Sequence, residues 1–205
     1  LNPTVNSKEA IAATDFLKKL MTVSPKGAST ANSDEVTSKF LGENIGAMIN
    51  YSGYYGSVLD KTINKNEGKI GTAPMPKGSA DITHLAGWNI GIPKDAKNPA
   101  AAWKFLEYVL GKSNAKAYLE SGAAAIGRKS ITTDADLLAK FPYLAQLEIP
   151  SSSRIERYPQ IAVWPEFEVA AIDAVTQVLN GKSDSTKAMS ALNEKLKPIL
   201  AKEPK

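Results

Sequence analysis

The strongest constraint on the fold of this chain is the way its apolar residues change period. At Ala13, Phe16, Leu17 and Leu20 they recur at i, i+3, i+4 and i+7. Ala102, Phe105, Leu106 and Val109 form a second such stripe. Two more follow near the end, one of Ala170, Ala171, Ala174, Val178 and Leu179, the other of Met189, Leu192, Leu196 and Ile199. That spacing places each set along one side of an amphipathic helix. Shorter runs of a different kind lie between them. Ile45-Gly46-Ala47-Met48-Ile49 is a brief apolar run bounded by polar residues, while Trp88, Ile90 and Ile92 alternate with Asn89 and Gly91 and are closed by Pro93. Both patterns predict strands. Lys69-Ile70-Gly71 begins a third, which Pro74 and Pro76 restrict to its start. Short strands alternating with helices predict α/β architecture.

Punctuation residues set the limits of these elements. Asn6 with Glu9, and Asn32 with Glu35, have the spacing of an N-cap and its reciprocal acid. Gly42 stands where a left-handed helix cap is wanted, and Gly181 ends the helix that Pro165 starts. Asn98-Pro99 offers a cap and a first-turn proline to the clearest helix. A further helix is expected to end near Gly122, and another to run from about Asp134 to Lys140. Asn50 to Gly56 reads as a loop rich in Gly and Tyr, and Pro150-Ser151-Ser152-Ser153 as a crossing segment.

Composition removes several function classes. The charge of +4 comes from 25 basic and 21 acidic residues that are scattered along the chain, which is not the footprint of a nucleic-acid binder. With 43% hydrophobic residues over 205, the chain can bury a core, but no stretch has the apolar length of a membrane span. The absence of cysteine excludes disulfides and thiolate chemistry. His84 is the only histidine, so a multi-histidine metal site is excluded, and a lone histidine is more often structural than catalytic. Gly111-Lys112-Ser113 and Gly181-Lys182-Ser183 imitate the end of a phosphate-binding loop, yet Leu106 and Thr176 occupy the positions that need glycine. No cofactor is implied. The start, Leu1-Asn2-Pro3-Thr4, shows neither an initiator Met nor a signal peptide, so it is expected to be a cut within a longer chain. Asn50-Tyr51-Ser52 satisfies the glycosylation triplet, which arises often by chance.

The residues left to carry chemistry are rings and a few acids. A sugar presents an apolar face of C–H groups and a rim of hydroxyls, so its binder needs a flat ring for one and planar polar groups for the other. Tyr51, Tyr54, Tyr55, Trp88 and Trp164 fall in expected loops or at strand ends, although core or hinge packing would use the same residues. Trp103 sits within a helical stripe and is expected in the core. Rings with few clustered charges favour a neutral sugar. A polyamine, a metal chelate or a phosphate ester would require convergent charges. The alternative from another class is a carbohydrate-active enzyme that uses two of Glu156, Glu166 and Glu168.

Phe40-Leu41-Gly42-Glu43-Asn44-Ile45-Gly46-Ala47-Met48, followed by Tyr51, Tyr54 and Tyr55, resembles a stretch of the bacterial extracellular solute-binding proteins. Gly71-Thr72-Ala73-Pro74-Met75-Pro76 resembles their proline turn, and Ala86-Gly87-Trp88 with Asn98-Pro99-Ala100-Ala101-Ala102-Trp103-Lys104-Phe105-Leu106 their glycine-led strand and following helix. Tyr158-Pro159-Gln160 and Trp164-Pro165-Glu166 fall where the maltose-binding relatives have a proline and a stacking aromatic. The match runs from about residue 6 to about residue 200 as an ordered set.

The resemblance implies the C-terminal portion of a two-lobe, type II periplasmic-binding-protein-like fold. Residues 1–83 would belong to the second lobe, 84–155 would return to the first, and 156–205 would supply helices that complete the second. Without the rest of the first lobe, the middle segment is expected to leave apolar surface uncovered. The resemblance further implies a non-enzymatic receptor that holds a neutral mono- or oligosaccharide between hinged lobes. Its partners would be the membrane permeases of an ABC importer. It would work as a monomer in the bacterial periplasm or at the outer face of the membrane, lipid-anchored in the full-length protein. Trp164 is the leading ligand residue by this resemblance, followed by Tyr54, with Tyr51, Tyr55, Trp88 and Glu166. Arg128 follows a loop in which Ile126 replaces the family's proline, so it serves either ligand hydroxyls or a surface salt bridge.

Overall fold

The fold is that of a computed structural model, which describes residues 1–43, 45–66, 68–78, 80–84, 87–122, 127–147, 154–156 and 158–204. The chain divides into two compact units. One joins Leu1–Asn32 to Tyr158–Lys205, and the other is Ser33–Arg157.

The first unit is built on three helices, α1 (Lys8–Met21), α8 (Trp164–Leu179) and α9 (Ser185–Leu200). The stripes expected of the last two are realised except at Leu179, which stays outside the cluster. Ala170, Ala174 and Val178 of α8 and Met189, Leu192 and Leu196 of α9 are buried in one cluster, with Ala171 and Ile199 packed on its edge. At 3.6 residues per turn these side chains fall on facing sides, which closes a small apolar core. The connection is fixed by a complete Schellman arrangement. Gly181 has φ +71, its N–H bonds Val178 O at 3.0 Å, and Lys182 N–H bonds Gln177 O at 2.8 Å. Asp184 then caps α9, its carboxylate accepting the Lys187 N–H at 2.8 Å.

Helix α1 corrects two expectations. Its cap is Ser7, whose hydroxyl accepts from Ala10 N–H at 3.2 Å, one residue beyond Asn6. Its inward residues are Ile11 and Thr14, while Phe16, Leu17 and Leu20 are exposed, Phe16 by 60%. A polar contact sets this rotation: Asp15 accepts a hydrogen bond from Ser185 at the start of α9, at 2.5 Å. Thr14 satisfies its own hydroxyl on Ala10 O and is therefore buried at little cost.

The second unit comprises α2 (Ser33–Gly42), a 3-10 turn (Ser52–Tyr54) running into α3 (Tyr55–Leu59), and strand β1 (Ile82–His84). Helices α4 (Pro99–Val109), α5 (Lys112–Glu120), α6 (Lys129–Thr132) and α7 (Ala135–Lys140) follow, then a second 3-10 turn (Pro142–Leu147) and strand β2 (Arg154–Glu156). The two strands pair in parallel, Ile82 opposite Arg154 and His84 opposite Glu156. The core gathers Ala115, Leu119, Ile131, Leu137, Phe141, Tyr143 and Leu144. Asp134 caps α7 by accepting from Leu137 N–H at 3.2 Å, and Gly122 follows α5 with φ +87, both as the punctuation predicts.

Several expectations are corrected here. Residues 45–49, 69–71 and 88–92 do not form strands, because the only ladder among the described residues joins β1 to β2. Alternation marks a strand only where a neighbouring strand supplies hydrogen bonds. Gly42 ends α2 without a positive φ; the helix instead closes by Glu43 N–H on Lys39 O at 2.8 Å. Trp103 is 57% exposed rather than in the core, and Phe105 and Tyr108 share that exposure, so α4 buries only Leu106. Uncovered apolar surface of this kind is what the reading of the middle segment expects. The crossing segment at 150–153 lies outside the described residues, as does Ile126.

The contact division falls near residues 32 and 157. The assignment of 1–83, 84–155 and 156–205 to two lobes concerns a different division, that of a longer protein, and is a proposal.

Candidate functional site

In the first unit the chain turns at Ile161–Trp164, with Trp164 N–H on Ile161 O at 3.1 Å, and enters α8. Pro165 lies in the first helical turn, where its missing N–H has no intrahelical acceptor to lose. The indole of Trp164 stacks on Phe167, with centroids 5.1 Å apart and planes inclined by 19°. Tyr158 closes the group at 5.5 Å. Phe167 and Trp164 meet because residues three apart share one side of a helix. Trp164 is half-buried and Tyr158 48% exposed, so the group presents a firm aromatic surface to solvent. Glu203 lies behind the turn, its two carboxylate oxygens accepting from Ala162 N–H at 3.0 Å and Val163 N–H at 3.1 Å. Glu166 pairs with Lys202 at 2.5 Å, both exposed.

In the second unit Asn50 organises the tyrosine segment. Its amide donates to Ser33 O and Thr37 Oγ1, each at 3.0 Å, and its carbonyl accepts from Tyr51 N–H at 2.9 Å. The glycosylation triplet is thus explained by structure: the Asn50 side chain fastens the segment to α2. Tyr54 lines a groove of about 310 Å³ together with Asp34, Ser38, Ser57, Thr62 and Lys65. A hydrogen bond with Asp34, then burial, holds its phenol above the usual tyrosine range. Tyr51 meets His84 edge-on at 6.0 Å. Tyr55 differs from the other candidates: its ring lies against Tyr143 at 3.9 Å, on the edge of the core. That ring is half-buried and packs against the core, whereas the other candidate rings are not part of it. Trp88 is fully exposed at 102%. Arg128 donates from Nε to the carbonyl of Leu110, the residue that caps α4, at 3.2 Å.

Tyr158 and Phe167 were not singled out as ligand residues from sequence. Their signal was present in the Tyr158-Pro159 pair and in the three-residue spacing of Phe167 from Trp164. Glu203 had no local signal, since its partners lie about forty positions away. Glu166 and Glu168 are two apart on α8 and face different directions, so these two form no convergent acid pair, while the side chain of the third candidate, Glu156, lies outside those described. Among the described residues no group of His, Asp or Glu is placed to hold a metal, and no helix is long and apolar enough to cross a membrane.

Comparison with known proteins yields consistent matches. A family model described as bacterial extracellular solute-binding protein matches residues 2–116. A probable ABC transporter-binding protein of Deinococcus radiodurans is 24% identical over 201 residues, which is 96% of this chain and 48% of that protein. A probable amino-acid ABC transporter periplasmic-binding protein of Sinorhizobium fredii is 24% identical over 200 residues, covering 97% and 45%. Among solved structures, an ABC transporter solute-binding protein from Agrobacterium radiobacter K84 in complex with ribitol superposes with TM-score 0.80 and 27% identity. It covers 97% of this chain and 51% of its own. Maltose-bound MalE3 of T. maritima superposes with TM-score 0.82 at 22% identity, covering 97% and 52%. The chain therefore spans about half the length of the relatives it matches. Over that length it has their α/β, periplasmic-binding-protein-like fold.

Proposed function

Because the chain belongs to the bacterial extracellular solute-binding proteins, we propose that it forms part of the substrate-binding component of an ABC importer that captures a neutral mono- or oligosaccharide. The observation that carries this reading is the half-exposed Trp164 ring, braced by Phe167 and Tyr158 on the first unit. A ring held rigidly by neighbouring rings loses little side-chain entropy on binding, and its face complements the C–H face of a pyranose or an extended polyol. The ribitol held by the Agrobacterium protein is a neutral polyol and supports the same ligand class. On the second unit the Tyr54 groove offers a phenol, hydroxyls and one acid to a ligand's hydroxyl rim, and Tyr51 and Trp88 add exposed rings. Glu166 keeps acceptor capacity beyond its ion pair with Lys202.

In this reading the protein binds without chemistry. It works in the periplasm or at the outer face of the membrane and delivers its solute to membrane permeases. The second reading is the same fold holding a different solute, and the amino-acid transporter name of the Sinorhizobium relative favours it. Calorimetric titration of the intact protein separates the two. Neutral saccharides and polyols are expected to give saturable heat with a negative heat-capacity change, whereas free amino acids, polyamines and phosphate esters give none. Saturable binding confined to amino acids would transfer the assignment to the second reading.

A further inference from the structure

We propose that Glu203 is a positioning residue for the Trp164 surface, so that the last turn of the chain sets the geometry of the ligand-stacking ring. This inference rests on the saccharide reading for its functional meaning, but its structural half stands independently.

Val163 caps α8 without a side-chain hydrogen bond of its own. The amides of Ala162 and Val163, just ahead of the helix, would otherwise lack protein acceptors. Glu203 supplies both, one from each carboxylate oxygen, at 3.0 and 3.1 Å. Bonds to an ionised acceptor are the stronger kind, and an anion at a helix N-terminus is favoured by the helix dipole. The support behind Glu203 is firm. Lys202 N–H bonds Ile199 O at 3.1 Å and Glu203 N–H bonds Leu200 O at 3.3 Å, so residues 201–203 continue the end of α9 as a turn. Helix α9 is itself packed against α8 through Leu192, Leu196 and Leu200. One continuous path therefore runs from the core, through the chain's last turn, to the backbone atoms next to Trp164. The dihedral angles of that turn set the direction of the Trp164 Cα–Cβ bond, because its Cα is one peptide beyond Val163, and the contacts with Phe167 and Tyr158 hold the ring about that bond. The neighbouring Lys202–Glu166 pair is exposed on both sides and contributes little, which makes it a natural control.

The test replaces Trp88 and Trp103 with Phe, so that Trp164 is the sole indole. Its emission and acrylamide quenching are then read in Glu203→Ala, Glu203→Gln and Lys202→Met. Each of the three substitutions is also titrated with ribitol, maltose and D-glucose in the intact protein that keeps Trp88 and Trp103, which serves as the parent for binding. Glu203→Ala is expected to raise quenching of Trp164 and to weaken binding of the best probe by about tenfold, as the loss of a charge-assisted anchor implies. Glu203→Gln should fall between, because a carboxamide keeps one acceptor for the two amides. Lys202→Met should match the parent in ligand-free quenching, because the pair it removes is exposed on both sides. Unchanged quenching in Glu203→Ala, or equal effects of Lys202→Met and Glu203→Ala, overturns the proposal. If the parent binds none of the probes, the saccharide reading fails, while ligand-free quenching still decides the role of Glu203.

Discussion

Trp164→Ala is expected to weaken saccharide binding by about thirtyfold or more, from the roughly 2 kcal/mol that truncation of a central aromatic anchor costs. The size of the effect follows from the packing. Trp164 is braced on one side by Phe167 at 5.1 Å and approached by Tyr158 at 5.5 Å, so its free surface is already held in place before a ligand arrives. Preorganisation of this kind removes a cost that a mobile ring would incur on binding. The substitution should leave the fold intact. Trp164 is half-buried, and the core of its unit is closed by Val163, Ala170, Ala174 and Val178 without it. Trp164→Phe should retain most of the affinity, since a smaller ring still fits over Phe167. Calorimetry on the parent and both variants gives the comparison, with circular dichroism to confirm that helicity is unchanged.

The second large effect is on stability. Leu196→Ala should destabilise the first unit by about 2 to 5 kcal/mol, the range for removing a fully buried leucine side chain. Leu196 has no exposed surface and sits between Leu192 and Leu200 in the cluster that joins α8 to α9. Cavity formation adds to the lost transfer energy because the helices on either side are fixed by the Gly181 turn and cannot collapse inward freely. Trp164 is the only indole of this unit, so with Trp88 and Trp103 replaced by Phe its fluorescence during urea denaturation reports the unit specifically. The midpoint should fall sharply in Leu196→Ala. A midpoint within error of the parent would mean that the α8–α9 cluster does not hold the unit together.

What the sequence made legible was whatever is decided locally. The stripes of α8 and α9, the Gly181 turn, the Asp134 cap and the first-turn proline of α4 all depend on residues within a few positions of one another, and each appears where expected. What failed depended on distant partners. The runs at 45–49 and 88–92 have strand-like patterns but no ladder, and a ladder is a property of two segments rather than one. The rotation of α1 was set by Asp15 meeting Ser185, a contact between residues 170 positions apart. Trp103 lies in a helical stripe, yet its exposure depends on what lies against α4.

The candidate site divides in the same way. Trp164 emerged from the family resemblance of its motif, and the structure then supplied its brace. Tyr55 and Tyr54 are adjacent in sequence and indistinguishable by type. Only the fold shows that one ring lies on Tyr143 and the other lines a groove with Asp34. Arg128 and Glu166 came from the family resemblance as ligand candidates, and only the fold shows their bonds to Leu110 O and Lys202.

The most direct measurement is a crystal structure of the intact protein with its preferred saccharide. The account predicts a sugar ring lying flat over the exposed face of Trp164, with Phe167 directly behind the indole. Density for the ligand at a site that leaves Trp164 touching only protein and solvent would contradict it.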